Sequence, residues 1–184
     1  VVQKFTGLFD PPERVFHVFQ PRLMEKNTNL FAPILKGKTV IFGIGNTLRG
    51  DDGLGSVLVN TIAGKVDALC LDGGNAPENY LGKILKERPD TVLIIDALHL
   101  GEQPGTVKLL KPDELRVSYF TTHSIPLRIL IEYLEDELHS DIYIIGVQPS
   151  SLTLGEPISE PVKKAIQRIA TLIIQAVSPK KSFE

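Results

Sequence analysis

The sequence predicts an α/β fold: a single three-layer domain in which a twisted, mainly parallel sheet of about five strands is flanked by helices. Three observations predict it. From Lys38 onward, short runs rich in Val and Ile alternate with longer segments of helical period, the pattern left by parallel strands joined through crossover helices. The run Val92-Leu93-Ile94-Ile95 is apolar without alternation, as a strand covered on both faces requires. The segments that follow the runs are rich in Gly, Asp and Asn, and in open α/β sheets the loops beyond the strand ends are where ligands bind.

The expected strands are Thr39–Gly43, Val66–Leu71, Thr91–Ile95 and Ile142–Val147. Thr106–Leu110, after the turn pair Pro104-Gly105, is an expected fifth whose direction the sequence leaves open. Helices are expected over Leu54–Ala63, Glu78–Glu87, Ile125–Leu138 and Glu160–Ala176. In the last of these, Val162, Ile166, Ile169, Ile173 and Ala176 fall at helical spacing and form one apolar stripe, which is a core face. The start of the chain differs, with Pro11, Pro12, Pro21 and Pro33 among scattered Phe5, Phe9, Phe16 and Phe19 and no sustained period. It reads as an N-terminal appendage over 1–36, followed by a domain over 37–178 and a frayed tail over 179–184.

At 184 residues with 42% apolar content, the chain can bury one good core. A net charge of −2, with both signs interspersed, offers no electrostatic footprint for a nucleic-acid backbone. No apolar run approaches the roughly 18 residues a membrane span needs, and no signal-peptide pattern is present. Neither nucleic-acid binding nor direct membrane insertion is expected, and the default location is the cytoplasm; the oligomeric state is left open. Cys70 is the single cysteine, which excludes an intramolecular disulfide and a thiolate zinc site. It reads as a strand cysteine rather than a nucleophile.

The chemistry is concentrated in residues 43–55, Gly-Ile-Gly-Asn-Thr-Leu-Arg-Gly-Asp-Asp-Gly-Leu-Gly, a glycine-rich turn after the first strand. Such turns commonly cradle phosphate. Here Leu48 stands where a dinucleotide fingerprint wants its third glycine, and Asp51 and Asp52 occupy the start of the helix. Two carboxylates repel a pyrophosphate, so a nucleotide-dependent or phosphorolytic enzyme is the weaker alternative. One Asp is explained as a helix N-cap, which leaves the other available to a cationic ligand. Asp96 follows the third run and is expected at the rim of the sheet, and His123 precedes the helix that begins near Ile125-Pro126. Converging, Asp52, Asp96 and His123 would offer two oxygens and one imidazole nitrogen, a set suited to a divalent first-row metal with open positions.

These residues resemble a known family. The glycine turn from Gly43 to Gly55, Asp96, and Thr121-Thr122-His123 are similar to the maturation endopeptidases of NiFe hydrogenases. Gly73-Gly74-Asn75-Ala76-Pro77-Glu78-Asn79, Thr121 to Leu127 and Ile145-Gly146-Val147-Gln148-Pro149 resemble in particular the branch serving formate-hydrogenlyase-type large subunits. The resemblance runs from about Lys38 to Ala176. It implies an endopeptidase that removes a short C-terminal peptide from a hydrogenase large-subunit precursor once nickel has been inserted. Nickel would be supplied by that substrate and recognised by Asp52, Asp96 and His123. Asp52 and Asp96 would be catalytic, either beside a nickel-activated water or as a dyad that activates water itself. Gly45, Asn46, Asp51, Gly73, Gly74 and Thr122 would meet the substrate. The family often carries Glu where this chain has Asp52, one methylene shorter. A non-catalytic nickel carrier or precursor-binding module would need the same ligands and is the alternative.

Overall fold

The computed structural model describes residues 31–118, 120–121 and 127–177. In chain order the elements are β1 (Thr39–Ile44), α1 (Leu54–Ile62), β2 (Leu69–Gly74), α2 (Leu81–Glu87), β3 (Thr91–His99) and β4 (Val107–Leu110). There follow α3 (Pro112–Ser118), β5 (Phe120–Thr121), α4 (Leu127–Glu137), β6 (Asp141–Val147) and α5 (Glu160–Ala176). Tight 3-10 turns occupy Gly50–Gly53 and Pro77–Tyr80.

The main sheet has the order β2-β1-β3-β6-β4. β1, β2, β3 and β6 run parallel, and β4 joins the β6 edge antiparallel. That settles the direction the sequence left open. β5 pairs antiparallel with Leu98 and His99 at the end of β3. From β1 the chain crosses outward to β2, then returns past β1 to β3. Right-handed crossovers travelling in opposite directions put their helices on opposite faces. Accordingly α1 and α5 pack over Ile41, Leu93, Ile95, Ile145 and Val147, and α2, α3 and α4 over Phe42, Ile94, Leu98 and Ile144. Each fully buried Leu or Ile contributes about 1.5–3 kcal/mol to such layers.

Several boundaries differ from the sequence reading for identifiable reasons. Val66 lies before β2 and packs into the core rather than opening the strand. β2 instead runs on to Gly74, because Gly73 is an extra residue that bulges between the pairs Gly43↔Asp72 and Ile44↔Gly74. The expected helix over Glu78–Glu87 is a 3-10 turn followed by α2, the turn opening at Pro77. β3 is longer than expected: β6 stays paired with it through Ala97↔Val147, and β5 pairs beyond. Asp96 is therefore inside a strand, opposite Gly146, and not at its tip. α3 was not anticipated, although its start has a signature. Pro112 stands in its first turn, and the Glu114 carboxylate accepts the Lys111 N–H at 2.7 Å, half of a capping box. α5 occupies the expected range, its stripe of Val162, Ile166, Ile169 and Ile173 buried. Phe31 and Leu35, on the appendage side of the boundary read at residue 36, are buried in the core; residues 1–30 and 178–184 lie outside the described residues.

Two glycines let α1 lie directly on the sheet. A Cβ at Gly55 would clash with the carbonyl oxygens of Ile44 and Ile95, and one at Gly43 with the Gly55 carbonyl. Gly55→Ala must push a helix off two strands, and overpacking of this kind costs roughly 1–3 kcal/mol or more. Urea unfolding should show that loss. Gly82 in α2 has open space around a new Cβ, so Gly82→Ala should stabilise by about 0.5–1 kcal/mol. Equal effects at the two positions would contradict this packing.

Candidate active site

The reversal of strand order between β1 and β3 makes a crevice at their carboxyl ends, the switch point at which open α/β sheets hold ligands. β1 pairs with β3 only as far as Gly43↔Ile95. Beyond that pair β1 turns away into the acidic glycine turn, and β3 continues alone on that side with Asp96. The 3-10 turn Gly50–Gly53 packs against β3, bringing the Asp52 turn and Asp96 to the same crevice. Asp52 is 3% exposed and Asp96 fully buried.

Local bonds orient both acids. The backbone N–H of Asn46 donates to Asp52 Oδ2 at 3.1 Å, and the N–H of Asp52 donates to the Arg49 carbonyl. Asn46 Oδ1 in turn accepts the Leu48 N–H at 3.0 Å, closing an Asx turn. Gly45 has φ +143, and a Cβ there would strike the Asp52 carbonyl. Glycine is thus required for the turn to fold back on itself. Asp96 Oδ1 accepts the N–H of Ala97 at 2.7 Å.

Asp51 does something else. It is fully buried, and its Oδ2 accepts the Ser150 N–H at 2.7 Å, the Ser151 N–H at 3.3 Å and the Ser159 hydroxyl at 2.8 Å. Oδ1 accepts the Ser159 N–H at 2.6 Å. The carboxylate fastens the glycine turn to the loop between β6 and α5, about a hundred residues away in sequence. Further bonds stitch the same two loops: Gly50 N–H to the Glu156 carbonyl, Asp51 N–H to Ser151, and Gly155 N–H to Leu48. Neither acid is the side-chain N-cap that the sequence suggested, since no side-chain cap bond is made at either the 3-10 turn or α1.

The other residues named from sequence divide clearly. Gly73 and Gly74 border the crevice, the Gly74 carbonyl accepting the Gly45 N–H at 2.9 Å. Gly73 is needed for close approach, since a Cβ there would meet the Phe42 ring, and Gly74 for its φ of +53. Thr122 and His123 lie outside the described residues. Cys70 is on β2, half-buried, and burial pushes its thiol up from its ordinary value. A protonated thiol is a poor nucleophile.

Asp72 is a residue the sequence reading passed over. Its Oδ1 takes the Ser56 hydroxyl at 2.6 Å and the Gly74 N–H at 3.0 Å, and Oδ2 takes the Asn60 amide at 2.8 Å. It ties the end of β2 to α1, and the spacing of Ser56 and Asn60, one helical turn apart, was its available signal. Among the described residues, no group of three His, Cys, Asp or Glu side chains is gathered closely enough to hold a metal ion. Asp52 and Asp96 are hard oxygen donors of the right type, and would contribute two ligands at most. An open cavity lined by Lys111, Asp113, Glu135, Asp141 and Tyr143 lies at the opposite, amino end of β6, away from the switch point.

Comparison with known proteins agrees with this architecture. Residues 58–176 match the model of the HycI hydrogenase maturation protease family. The hydrogenase 3 maturation protease of Escherichia coli is 34% identical over 133 residues, covering 71% of this chain and 85% of that protein. The crystal structure of the NiFe hydrogenase maturation protease HycI from Thermococcus kodakarensis superposes with a TM-score of 0.72 at 37% identity, over 80% of this chain and 98% of that one. The solution structure of the Escherichia coli endopeptidase HycI gives a TM-score of 0.66 at 30% identity, over 80% and 99%.

Asp51→Ala strips the acceptor from three backbone N–H groups and a hydroxyl. Each orphaned buried donor costs about 1–3 kcal/mol, so unfolding by urea should show a loss of at least about 3 kcal/mol. A stability equal to wild type would mean that the two loops are held together by other means.

Proposed function

The chain belongs to the hydrogenase maturation protease family and is a peptidase, and from that premise we propose that it removes a C-terminal peptide from the nickel-loaded large-subunit precursor of a NiFe hydrogenase, with Asp52 and Asp96 as its reactive carboxylates. The observation that carries this reading is the placement of two buried acids, each oriented by a backbone N–H, on either side of the β1/β3 crevice. Water-excluded carboxylates are suited to proton transfer and to a cationic substrate group. Nickel is part of the substrate here. Asp52, Asp96 and His123 recognise it.

In the hydrolytic step a carboxylate takes a proton from water as the water oxygen bonds to the scissile carbonyl carbon. The C–N bond then breaks as that proton passes to the leaving nitrogen, giving a new carboxylate and a new amine. The Asn46 N–H holds Asp52 in one orientation through this exchange, and the Ala97 N–H does the same for Asp96. Among the described residues no helix is long and apolar enough to cross a membrane. The reading places cleavage of the newly made precursor in the cytoplasm.

Mass spectrometry of a nickel-loaded large-subunit precursor incubated with the protein should show loss of a C-terminal peptide, absent from a nickel-free control. Asp96→Asn keeps the size of the side chain and removes its charge, and should slow cleavage at least about a hundredfold, as loss of a general base does. Asp52→Ala should do likewise. Cleavage at the wild-type rate by both variants would remove these carboxylates from the chemistry.

A further inference from the structure

Two leucines beside the crevice are left unused by the reading above. Leu48 is 67% exposed and Leu154 71% exposed, more than any other large apolar side chain among the described residues. They lie on different loops, yet the Gly155 N–H bonds the Leu48 carbonyl at 2.8 Å, so the two backbones run side by side. Both loops are rigidly held. Asp51 clamps them from beneath, and the Arg49 side chain donates from Nε to the Leu152 carbonyl at 3.2 Å. Leu48 is also coupled to the acid itself: its N–H is held by Asn46 Oδ1, and the Asn46 N–H holds Asp52 Oδ2.

Large apolar side chains fixed in water by a rigid pair of loops gain nothing for folding. On loops bonded side by side, the two together offer apolar surface to a partner. A peptidase acts on an extended polypeptide, and the sill formed by these residues is continuous with the turn that carries Asp52. We infer that Leu48 and Leu154 form an apolar docking sill for the precursor polypeptide, taking up apolar side chains of the segment next to the scissile bond. The inference rests on the cleavage reading above. Rigid presentation limits the ordering cost of binding, so the sill contributes to capture of the substrate and not to the bond-breaking step.

Steady-state cleavage of the nickel-loaded precursor, with binding followed in parallel by calorimetry, tests this with the double variant Leu48→Ser/Leu154→Ser. The expected result is a KM raised about tenfold, or a matching loss of binding, the scale of partly exposing two leucines, with kcat within about twofold of wild type. Leu48→Met/Leu154→Met, which keeps the apolar surface, should restore KM. An unchanged KM and unchanged binding in the serine variant overturn the proposal while leaving the cleavage reading intact. So does a wild-type dimer that the serine variant converts to monomer without a change in KM, since the sill would then belong to a second copy. Binding without cleavage by wild type, weakened in the serine variant, would retain the sill and remove the protease reading; neither binding nor cleavage would remove both.

Discussion

The site depends on the buried Asp51 carboxylate. Four donors from Ser150, Ser151 and Ser159 converge on it, and a charge removed from water is stable only when it is met in this way. The bonds join the loop after the first strand to the loop after the last. Without them the glycine turn would be an isolated excursion carrying two acids that repel each other. With them it is part of the sheet's rim, and Asp52, the next residue, inherits that position. One aspartate of the pair is spent on structure, and the carboxylate of the other is left for the proposed chemistry.

The sheet supplies the second constraint. Because β1 turns away after Gly43 and β3 continues, Asp96 sits on a strand whose neighbour on one side has just departed. It gains the precision of a strand position at the point where the crevice begins. The glycines at 43 and 55 bring α1 close enough for the turn to reach β3. The packing of α1 on the sheet is thus what sets the position of the proposed site.

Much of this was legible in the chain. Apolar runs and the α5 stripe reported the layers, since strands buried on both faces admit little else. The glycine turn after the first strand marked the loop at the switch point, and its two acids argued against a phosphate cradle. What the sequence hid was long-range. Nothing near Asp51 announces that its partners lie at Ser150, Ser151 and Ser159, so its role looked like that of a cap or a substrate contact. The true end of β3 was equally hidden, because strand length there is set by pairing with β6 and β5 and not by the composition of residues 96–99. The bulge at Gly73 left a signal in its paired glycines, but their separate purposes, close approach at one and a positive φ at the other, appear only in three dimensions.

The central claim is that the precursor's scissile segment enters the β1/β3 crevice. Photo-crosslinking tests it most directly, with a photoreactive amino acid placed beside the scissile bond of a nickel-loaded large-subunit precursor and the crosslinked residues mapped by mass spectrometry. The account predicts adducts within residues 45–56 and 96–99. Adducts concentrated instead around Lys111, Asp113 and Tyr143, at the amino end of β6, would place the substrate at the opposite end of the strands and contradict it.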